Sequence, residues 1–417
     1  MKKIACVFLG LLIFAGCANI TTSKLRGIRN DFAHDNFIES VNKYSGGADI
    51  KDQDNLQLLI TGLSQFQAKN YKASDDTFEE FNKRNIDTIG GSALREMKIL
   101  IGGQLVTEYK PSMMDSLFVS YYQIWDAIGD NRKNDVRVII NQSYARQQDM
   151  SRAYSELVKK NQERIANENS ELMNELKNNQ WAAYTDIMNP ALMYLSGIWF
   201  LNAGDFNDAQ TYLKRASGMS PNNSFISEDL KLSENKTKPH DTTWVFIESG
   251  FAPILEQKEL SLPVAAGKGV IVAGIAIAEP QFWNGTLSVS GAKPLADVNA
   301  MFMTEFNQYR INDALRAWTS ASARAVAQAA AYNSKSNLSG LIGLGSTIYS
   351  MTTTNAEVRS WVTLPETISV LRLKTADLID SNLSDSIGSD IKLPSSGNHL
   401  IYVRLTQSKP IVHIFKI

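Results

Sequence analysis

The sequence predicts an α+β fold in which a helical half precedes a β-rich half with one helical insertion. Between about residues 51 and 230, apolar side chains recur with the 3.6-residue period of amphipathic helices. The pattern changes at Asp241, where Thr242–Ile247 is a β-branched and aromatic run that ends at Gly250. Further along, residues 297–333 are rich in alanine, the strongest helix former. We therefore expect helices first, and then strands that are interrupted by one helix.

The first residues have the pattern of a bacterial export signal. Two lysines form a basic start, and Ile4–Gly16 is an unbroken run of apolar or small residues. This run is too short to cross a bilayer, which takes about 20 residues, but it has the length of a signal-peptide core. It ends at Cys17 and resembles the lipobox before an acylated cysteine, with Phe14 where leucine is commoner. We predict a signal peptide over residues 1–16 and lipid on Cys17; the alternative is an ordinary signal before an unmodified cysteine.

Lipid on Cys17 implies a location and a first partner, the membrane. Each buried CH₂ contributes about 0.8 kcal/mol, so a cysteine that carries several acyl chains such as palmitate stays anchored. Ala18 follows Cys17, and by the sorting preference of enteric-type bacteria a residue other than aspartate there implies the outer membrane. Residues 17–50 are polar and contain Gly46-Gly47. We expect them to be a lipidated tether that holds the protein at the outer membrane, facing the periplasm.

Composition excludes several classes of function. The 417 residues carry a net charge of −1, and such a balance gives no reason to expect nucleic acid as a partner. Cys6 and Cys17 are the only cysteines, and Cys6 lies in the signal. The mature chain therefore has no disulfide, no cysteine nucleophile and no zinc–cysteine site.

The strongest internal pattern lies between Pro190 and Pro221. Two antiparallel helices that cross closely need small residues at the crossing, larger ones beside it, and a glycine at the turn. The residues that fit this scheme are Gly197, Gly204, Phe206, Ala209, Leu213, Ala216 and the closing Pro221. The pattern resembles a tetratricopeptide repeat, a helix–turn–helix unit of about 34 residues.

A second copy of this pattern fits near the start of the helical half. Its members, in the same register, are Leu58, Gly62, Tyr71, Ser74, Phe78 and Phe81. Phe206 comes 135 positions after Tyr71, which leaves room for two degenerate units, although the motif itself does not recur between them. The alternative is two unrelated helical hairpins. The polar stretch Asn134–Lys177 predicts a long, partly exposed helix or hairpin arm.

The chain divides into three regions after the tether. These are a tetratricopeptide-like helical domain at 51–230, a polar linker at 231–240, and a β-rich domain at 241–417. Strand candidates after the first are Glu259–Pro263, Val270–Ala278, Thr286–Ser290, Thr367–Leu373, Leu400–Leu405 and Ile411–Phe415. In the predicted helix, small residues from Ala321 to Ala331 indicate close packing, either on its own sheet or on a second copy in a homo-oligomer.

Short motifs over most of the chain carry a resemblance to a known family. Besides the lipobox, they are Gly129-Asp130 with Asp135–Val138, Asn189-Pro190 with Gly204–Ala209, Ile247–Pro253, Ile275–Pro280 and Glu357–Pro365. Together they resemble a family of poorly characterised bacterial lipoproteins with tetratricopeptide repeats, often encoded beside lipoproteins that are similar to the curli-secretion channel. The resemblance implies an architecture, a location and other envelope lipoproteins as partners, but no established activity.

No group of residues has the spacing of a catalytic or metal site. The histidines are His34, His240, His399 and His413. They form no HExxH or HxH pair, and neither a Gly-x-Ser-x-Gly turn nor a phosphate-binding loop is present. We therefore predict that the protein is not an enzyme and has no catalytic residue, cofactor or metal.

Four residues are candidates for a partner surface: Arg137, Glu357, Arg359 and Trp361. Glu357 and Arg359 fall on the same side of a predicted strand, where an ion pair beside Trp361 is their simplest role. For Trp361 the alternative is packing inside a domain corner.

The predicted function is that of an outer-membrane lipoprotein that acts as a protein-binding scaffold. Its stacked helices would form a concave surface that holds a protein segment in an envelope assembly related to secretion or surface structures. The first alternative is a lipoprotein regulator of a cell-wall enzyme. The second is a small-ligand binder or enzyme in the β-rich domain, which needs a deep pocket lined by Glu357, Arg359 and His399.

Overall fold

The structure is a computed structural model that carries side chains. The residues it describes are 21–89, 109–167, 171–178, 183–266, 269–285, 287–335, 349–350, 356–378, 381, 383 and 391–417. Cys17 and the predicted signal peptide lie outside the described residues.

The described chain begins with two helices, α1 over residues 21–33 and α2 at Phe37–Ser45. Helix α1 buries an apolar face whose members are Leu25, Ile28 and Phe32. Their spacing of three and four residues places them on one side of the helix. The predicted tether over 17–50 is therefore wrong for residues 21–45, because this short apolar face packs on the body despite the polar residues around it.

The expected helical half is confirmed. Its further helices are α3 (Asn55–Gln67), α4 (Tyr71–Ile89), α5 (Met113–Gly129), α6 (Lys133–Asn167), α7 (Glu171–Asn178), α8 (Pro190–Ala203), α9 (Phe206–Met219) and α10 (Ser224–Glu234). The side chains of Asp54, Ser112 and Asn189 accept hydrogen bonds from backbone N–H groups in the first turns of α3, α5 and α8. Gly204 ends α8 with a φ of +87°, the left-handed conformation that favours glycine.

The close helix crossing expected from the repeat pattern is present in both hairpins. A Cβ atom on Gly62 would lie 2.6 Å from the Phe78 ring, and one on Gly197 would lie 2.7 Å from the Leu213 side chain. Ala209 is buried beside the second crossing. The first residues of α4 and α9 are the two aromatic residues of the pattern, Tyr71 and Phe206, which pack against the core; Pro221 follows the end of α9.

The region predicted as a linker, residues 231–240, is part of the packed fold. Its first four residues are the last turn of α10, which ends at Glu234. Beyond that turn, the Lys238 ammonium donates a hydrogen bond to the Ala203 carbonyl (3.2 Å), and the Asn398 side-chain amide donates one to the Pro239 carbonyl (2.8 Å). These bonds tie the connection to a helix end on one side and to the sheet on the other.

The β-rich half is also confirmed, with its helix inserted between strands. The elements are β1 (Thr242–Ser249), β2 (Ile254–Ala266), β3 (Gly269–Gln281), β4 (Lys293–Asp297), α11 (Val298–Lys335), β5 (Tyr349–Ser350), β6 (Thr367–Lys374), β7 (His399–Arg404) and β8 (Ile411–Lys416). One sheet has the order β4-β6-β1-β7-β8, in which β1 pairs antiparallel with β6 and parallel with β7. The other has the order β2-β3-β5 and is dominated by the β2–β3 hairpin.

The strand predicted at Thr286–Ser290 is wrong for residues 287–290, which are a loop. Both backbone polar groups of Leu287 bond the Ser249 hydroxyl: the hydroxyl donates to the carbonyl (2.5 Å) and accepts from the N–H group (2.9 Å). A side chain thus takes the hydrogen bonds that a neighbouring strand would have taken.

Helix α11 links the helical half to the smaller sheet. Its alanines Ala321 and Ala325 are buried against the chain's own β2–β3 hairpin, in a cluster with Ala273 and Ile275. The predicted long helix α6 is present, but its second half packs on α11: the Tyr154 hydroxyl donates a hydrogen bond to the Thr304 carbonyl (3.2 Å). Within the described ranges no helix is both long and apolar enough to cross a bilayer.

The inner helices α3, α5 and α8 pack on the five-stranded sheet. Ring centroids lie 4.9 Å apart for Phe66 of α3 and Tyr402, 5.4 Å for Trp125 of α5 and Phe246, and 5.8 Å for Tyr194 of α8 and Phe246. All five aromatic side chains are fully buried. The chain's own sheet therefore covers this face of α3, α5 and α8, and the predicted concave surface for a protein segment stays a prediction.

We expect the Gly197→Ala substitution to destabilise the fold by about 1–3 kcal/mol, because the new methyl group would overlap the Leu213 side chain. Gly218→Ala, at an exposed position of α9 with nothing within 4 Å of the added Cβ, is the matched control. It should leave stability unchanged or raise it by about 0.5–1 kcal/mol, since alanine is the better helix former. Urea unfolding followed by circular dichroism measures both. Equal stability of the two variants would contradict the close crossing.

Candidate functional site

Two turns of the helical hairpins form a polar surface on the helical half. We define the turn surface as residues 131–138, at the α5–α6 turn, together with residues 205–208, at the α8–α9 turn. Arg132 donates hydrogen bonds to Asp75 of α4 and to Asp135 of α6, each at 2.8 Å. Asn131–Asp135 line a shallow surface depression beside this contact. Arg132 thereby joins the turns of two hairpins.

Arg137, a predicted partner-surface residue, lies on the same surface. Its guanidinium pairs with Asp205 and Asp208 at the start of α9 and lies 5.0 Å above the centre of the Phe200 ring. The side chain remains 48% exposed, and the neighbouring Val138 is 52% exposed. These contacts fix the guanidinium in place while its outer edge stays accessible to a partner.

Glu357 and Arg359 form the expected ion pair, but not on a strand. Residues 356–360 have no regular secondary structure. The Glu357 carboxylate accepts hydrogen bonds from the Arg359 backbone N–H (2.9 Å) and from its guanidinium (2.6 Å). Side-chain hydrogen bonding to Glu357 raises the pKa of Arg359 further above its ordinary value. The pair joins two residues that are two positions apart in a segment without regular secondary structure, so the prediction that they share one face of a strand is wrong.

Trp361 does not belong to a partner surface. It is 2% exposed, and its ring centre lies 6.1 Å from those of Phe78 and Tyr122. The partner-surface interpretation of Trp361 is therefore wrong, and the alternative of a packed corner is confirmed. Its large apolar area is removed from water by α4 and α5.

A buried ion pair stands at the centre of the contact between helices and sheet. The Glu248 carboxylate accepts hydrogen bonds from the Arg404 guanidinium (3.2 Å), the Tyr402 hydroxyl (2.7 Å) and the Tyr122 hydroxyl (3.1 Å). Arg404 also donates to the Gly250 carbonyl at 2.9 Å. Burial raises the pKa of Glu248, and Arg404 opposes that rise. Because both side chains are at most 2% exposed, this network is a structural element and cannot contact a substrate.

Three of the histidines make separate contacts in different parts of the fold. His413 is buried on β8, where burial lowers its pKa to about 3, and its Nδ1 lies 3.1 Å from the Tyr71 hydroxyl. His399 opens β7 beside Gly397, and burial lowers its pKa. His34, which directly follows α1, contacts the Asn30 carbonyl with its Nδ1. In the described part of the chain, no group of three or more His, Cys, Asp or Glu side chains is arranged to hold a metal ion.

Two features that lie close together in the fold were not identified from the sequence: helix α1 and the loop after β3. Helix α1 is docked on the base of the β2–β3 hairpin: the Thr22 hydroxyl donates a hydrogen bond to the Leu255 carbonyl at 3.2 Å. Close by, the loop after β3 exposes 38% of Phe282 and 46% of Leu287. The paired aromatic residues before an Asn-Gly turn, Phe282-Trp283-Asn284-Gly285, are the sequence signal that could have indicated an apolar loop.

Glu305 joins α11 to the N-terminus of α5. Its carboxylate accepts hydrogen bonds from the backbone N–H groups of Met113 (2.8 Å) and Met114 (3.3 Å), which have no partner inside their own helix. Burial raises the pKa of Glu305 to about 7 from its ordinary 4.5, and the Met113 hydrogen bond limits the rise. The junction therefore titrates near neutral pH.

We expect the free energy of unfolding to fall as the pH rises from about 5 to above 7. The folded state holds the Glu305 proton up to about pH 7, whereas an unfolded glutamate loses it near 4.5, so the stabilisation present at low pH is lost on the way up. The difference corresponds to roughly 3 kcal/mol. Glu305→Gln stays neutral and should flatten this dependence when urea unfolding is repeated across the pH range. Glu79→Gln, at a 57% exposed side chain, is the control; parallel curves for Glu305→Gln and the parent protein would refute the assignment.

Comparisons with protein-family models, with curated proteins and with solved structures found no match for this chain. The resemblance to repeat-containing lipoproteins therefore stays a prediction. Among the described residues, two accessible features are candidates for a functional site: the turn surface, and the end at which α1 meets the β2–β3 hairpin.

Proposed function

We propose that this protein is a non-enzymatic envelope lipoprotein, anchored to the outer membrane through Cys17 and facing the periplasm, that binds other envelope lipoproteins. In this proposal its hairpins are degenerate tetratricopeptide-type repeats. The chain acts as a scaffold in an assembly related to secretion or surface structures. The partner-binding surface is the outer turn surface, because the inner face of the helices is filled.

The start of α1 agrees with an anchor that lies next to the folded body. Thr21 follows Cys17 by four positions, and four extended residues span at most about 14 Å. At Thr22 the chain is already bonded to Leu255, and Arg26 pairs with Glu256 one turn later. A lipid on Cys17 would consequently hold the folded body close to the bilayer without a long tether.

The hairpin geometry supports the repeat assignment. Gly62 and Gly197 make equivalent crossings with Phe78 and Leu213, which are equivalent positions of the pattern. The α4–α5 contact has the same character, since a Cβ atom on Gly129 would lie 2.6 Å from the ring of Tyr71. Helices α3 to α5 thus stack through glycine contacts, as neighbouring helical repeats do.

The charges of the turn surface support protein binding there. Arg137 and its partners Asp205 and Asp208 are each between 42% and 51% exposed, so both signs of charge are presented side by side. Val138 adds an apolar side chain that is 52% exposed at the same place. A surface with fixed arginine and carboxylate groups around an apolar contact suits a folded protein partner of mixed charge.

We expect Cys17→Ser to remove acylation and to release the protein from the envelope fraction, because the serine hydroxyl cannot replace the thiol that takes the lipid. Mass spectrometry of the intact protein and fractionation of cells measure the two effects. Cys6→Ser, the matched control in the predicted signal, should leave both unchanged. A parent protein without acyl mass, or a Cys17→Ser protein that keeps its envelope location, would show that the anchor is assigned wrongly.

We expect a photo-crosslinking residue at position 138 to form a covalent adduct with an acylated envelope protein in living cells. The control position is Lys231 of α10, which is exposed but outside the turn surface. Adding Arg137→Glu should reduce the adduct at least several-fold, since it reverses the charge that faces Asp205 and Asp208. Adducts of equal yield at both positions, or adducts with non-acylated proteins alone, would contradict the proposed surface.

A further inference from the structure

We propose that the described residues 281–285 and 287–288, at the end of β3 and in the loop after it, contact the membrane, and that their apolar side chains enter the interface of the phospholipid bilayer that carries Cys17. The inference rests on the proposed anchor for its biological setting. Lipid is the proposed binding partner of these residues. The position of the loop, its composition and its fixed ends support this assignment.

The position of the loop follows from contacts around the start of α1. Thr22 donates a hydrogen bond to the Leu255 carbonyl at 3.2 Å, and Leu255 pairs with Pro280 across the β2–β3 ladder. Phe282 is two residues beyond Pro280, about 7 Å of extended chain. Cys17 precedes Thr21 by four positions, a reach of at most about 14 Å. The loop and the acylation site therefore lie at the same end of the protein.

The composition of the loop suits the bilayer interface. The segment from Gln281 to Ser290 contains no charged residue, so no ion has to leave water when it approaches lipid. Phe282 is 38% and Leu287 46% exposed, and they are two of the few large apolar side chains on the described surface. Arg29 of α1 places its guanidinium 4.8 Å from the centre of the Trp283 ring. Aromatic rings beside a cation are typical of the membrane–water interface.

The loop is also held in place at both ends. Gln281 is the last residue of β3 and pairs with Ile254. Leu287 is fixed by its two hydrogen bonds with the Ser249 hydroxyl, at 2.5 and 2.9 Å. Between them, the Trp283 ring packs on Phe251 with centroids 5.0 Å apart. Side chains whose backbone is already held by such contacts lose little conformational entropy on insertion, so the exposed apolar area of Phe282 and Leu287 can contribute to membrane affinity.

The test uses the mature chain from residue 17, in which Cys17 is the only cysteine. Its thiol is coupled to a maleimide phospholipid in vesicles of phosphatidylethanolamine and phosphatidylglycerol that contain a lipid with a quencher near the headgroup. We expect this lipid to quench part of the tryptophan fluorescence. Trp283→Phe should remove most of that quenching, whereas the control Trp199→Phe, at a partly buried tryptophan of α8, should keep it. Equal quenching in the parent protein and in Trp283→Phe would overturn the inference.

A double variant separates insertion from mere proximity. Phe282→Ser with Leu287→Ser keeps Trp283 but removes the two exposed apolar side chains, so the quenching of Trp283 should fall at least two-fold. In cells, a photo-crosslinking residue at position 282 should yield lipid adducts; adducts with protein instead would overturn the assignment of lipid as the occupant. Because the lipid in the vesicle experiment is attached chemically, the result of that experiment does not depend on whether cells acylate Cys17. A result against membrane contact by the loop can thus be distinguished from a result against the proposed acylation of Cys17.

Discussion

The contact between the inner helices and the five-stranded sheet is the constraint on which the rest of the structure depends. Helices α3, α5 and α8 are buried on nearly all sides, so they need other elements to cover them. The sheet supplies the cover, with Phe246 and Tyr402 packed on aromatic side chains of the helices. The buried pair Glu248–Arg404 lies within this contact. The Glu248 carboxylate accepts hydrogen bonds from Tyr122 of the helical half and from Tyr402 and Arg404 of the sheet.

Because the sheet covers one face of α3, α5 and α8, the accessible side chains that could bind a partner lie at the helix turns and at one end of the fold. Helical repeats often bind partners on a face of their inner helices, but here the five-stranded sheet covers the face of α3, α5 and α8 that packs on it. What stays accessible is the turn surface, where Arg132 and Arg137 connect successive hairpins, and the end where α1 meets the β2–β3 hairpin. A partner bound at the turns and a bilayer bound at that end would contact different residues, so the two interactions would not compete for the same side chains.

The fold also explains why the polar start of the chain is ordered. Residues 21–45 have few apolar side chains, but Leu25, Ile28 and Phe32 share one face, and that face is covered by the body. Arg26 and Arg29 then reach the β2–β3 hairpin and the loop after β3. An anchor at Cys17 would therefore orient the whole protein, because the chain becomes part of the fold within a few residues of it.

The sequence alone determined the order of helices and strands, because the 3.6-residue and 2-residue periods are local properties of the chain. It also determined the crossings at Gly62 and Gly197, since a small residue and a large one at fixed spacing can fit together in only a few ways. Only the tertiary structure decided that Trp361 is buried, that α1 is docked, and that the sheet fills the inner face of the helices. Those outcomes depend on contacts between residues far apart in sequence, such as Phe66 with Tyr402, and no local period carries that information.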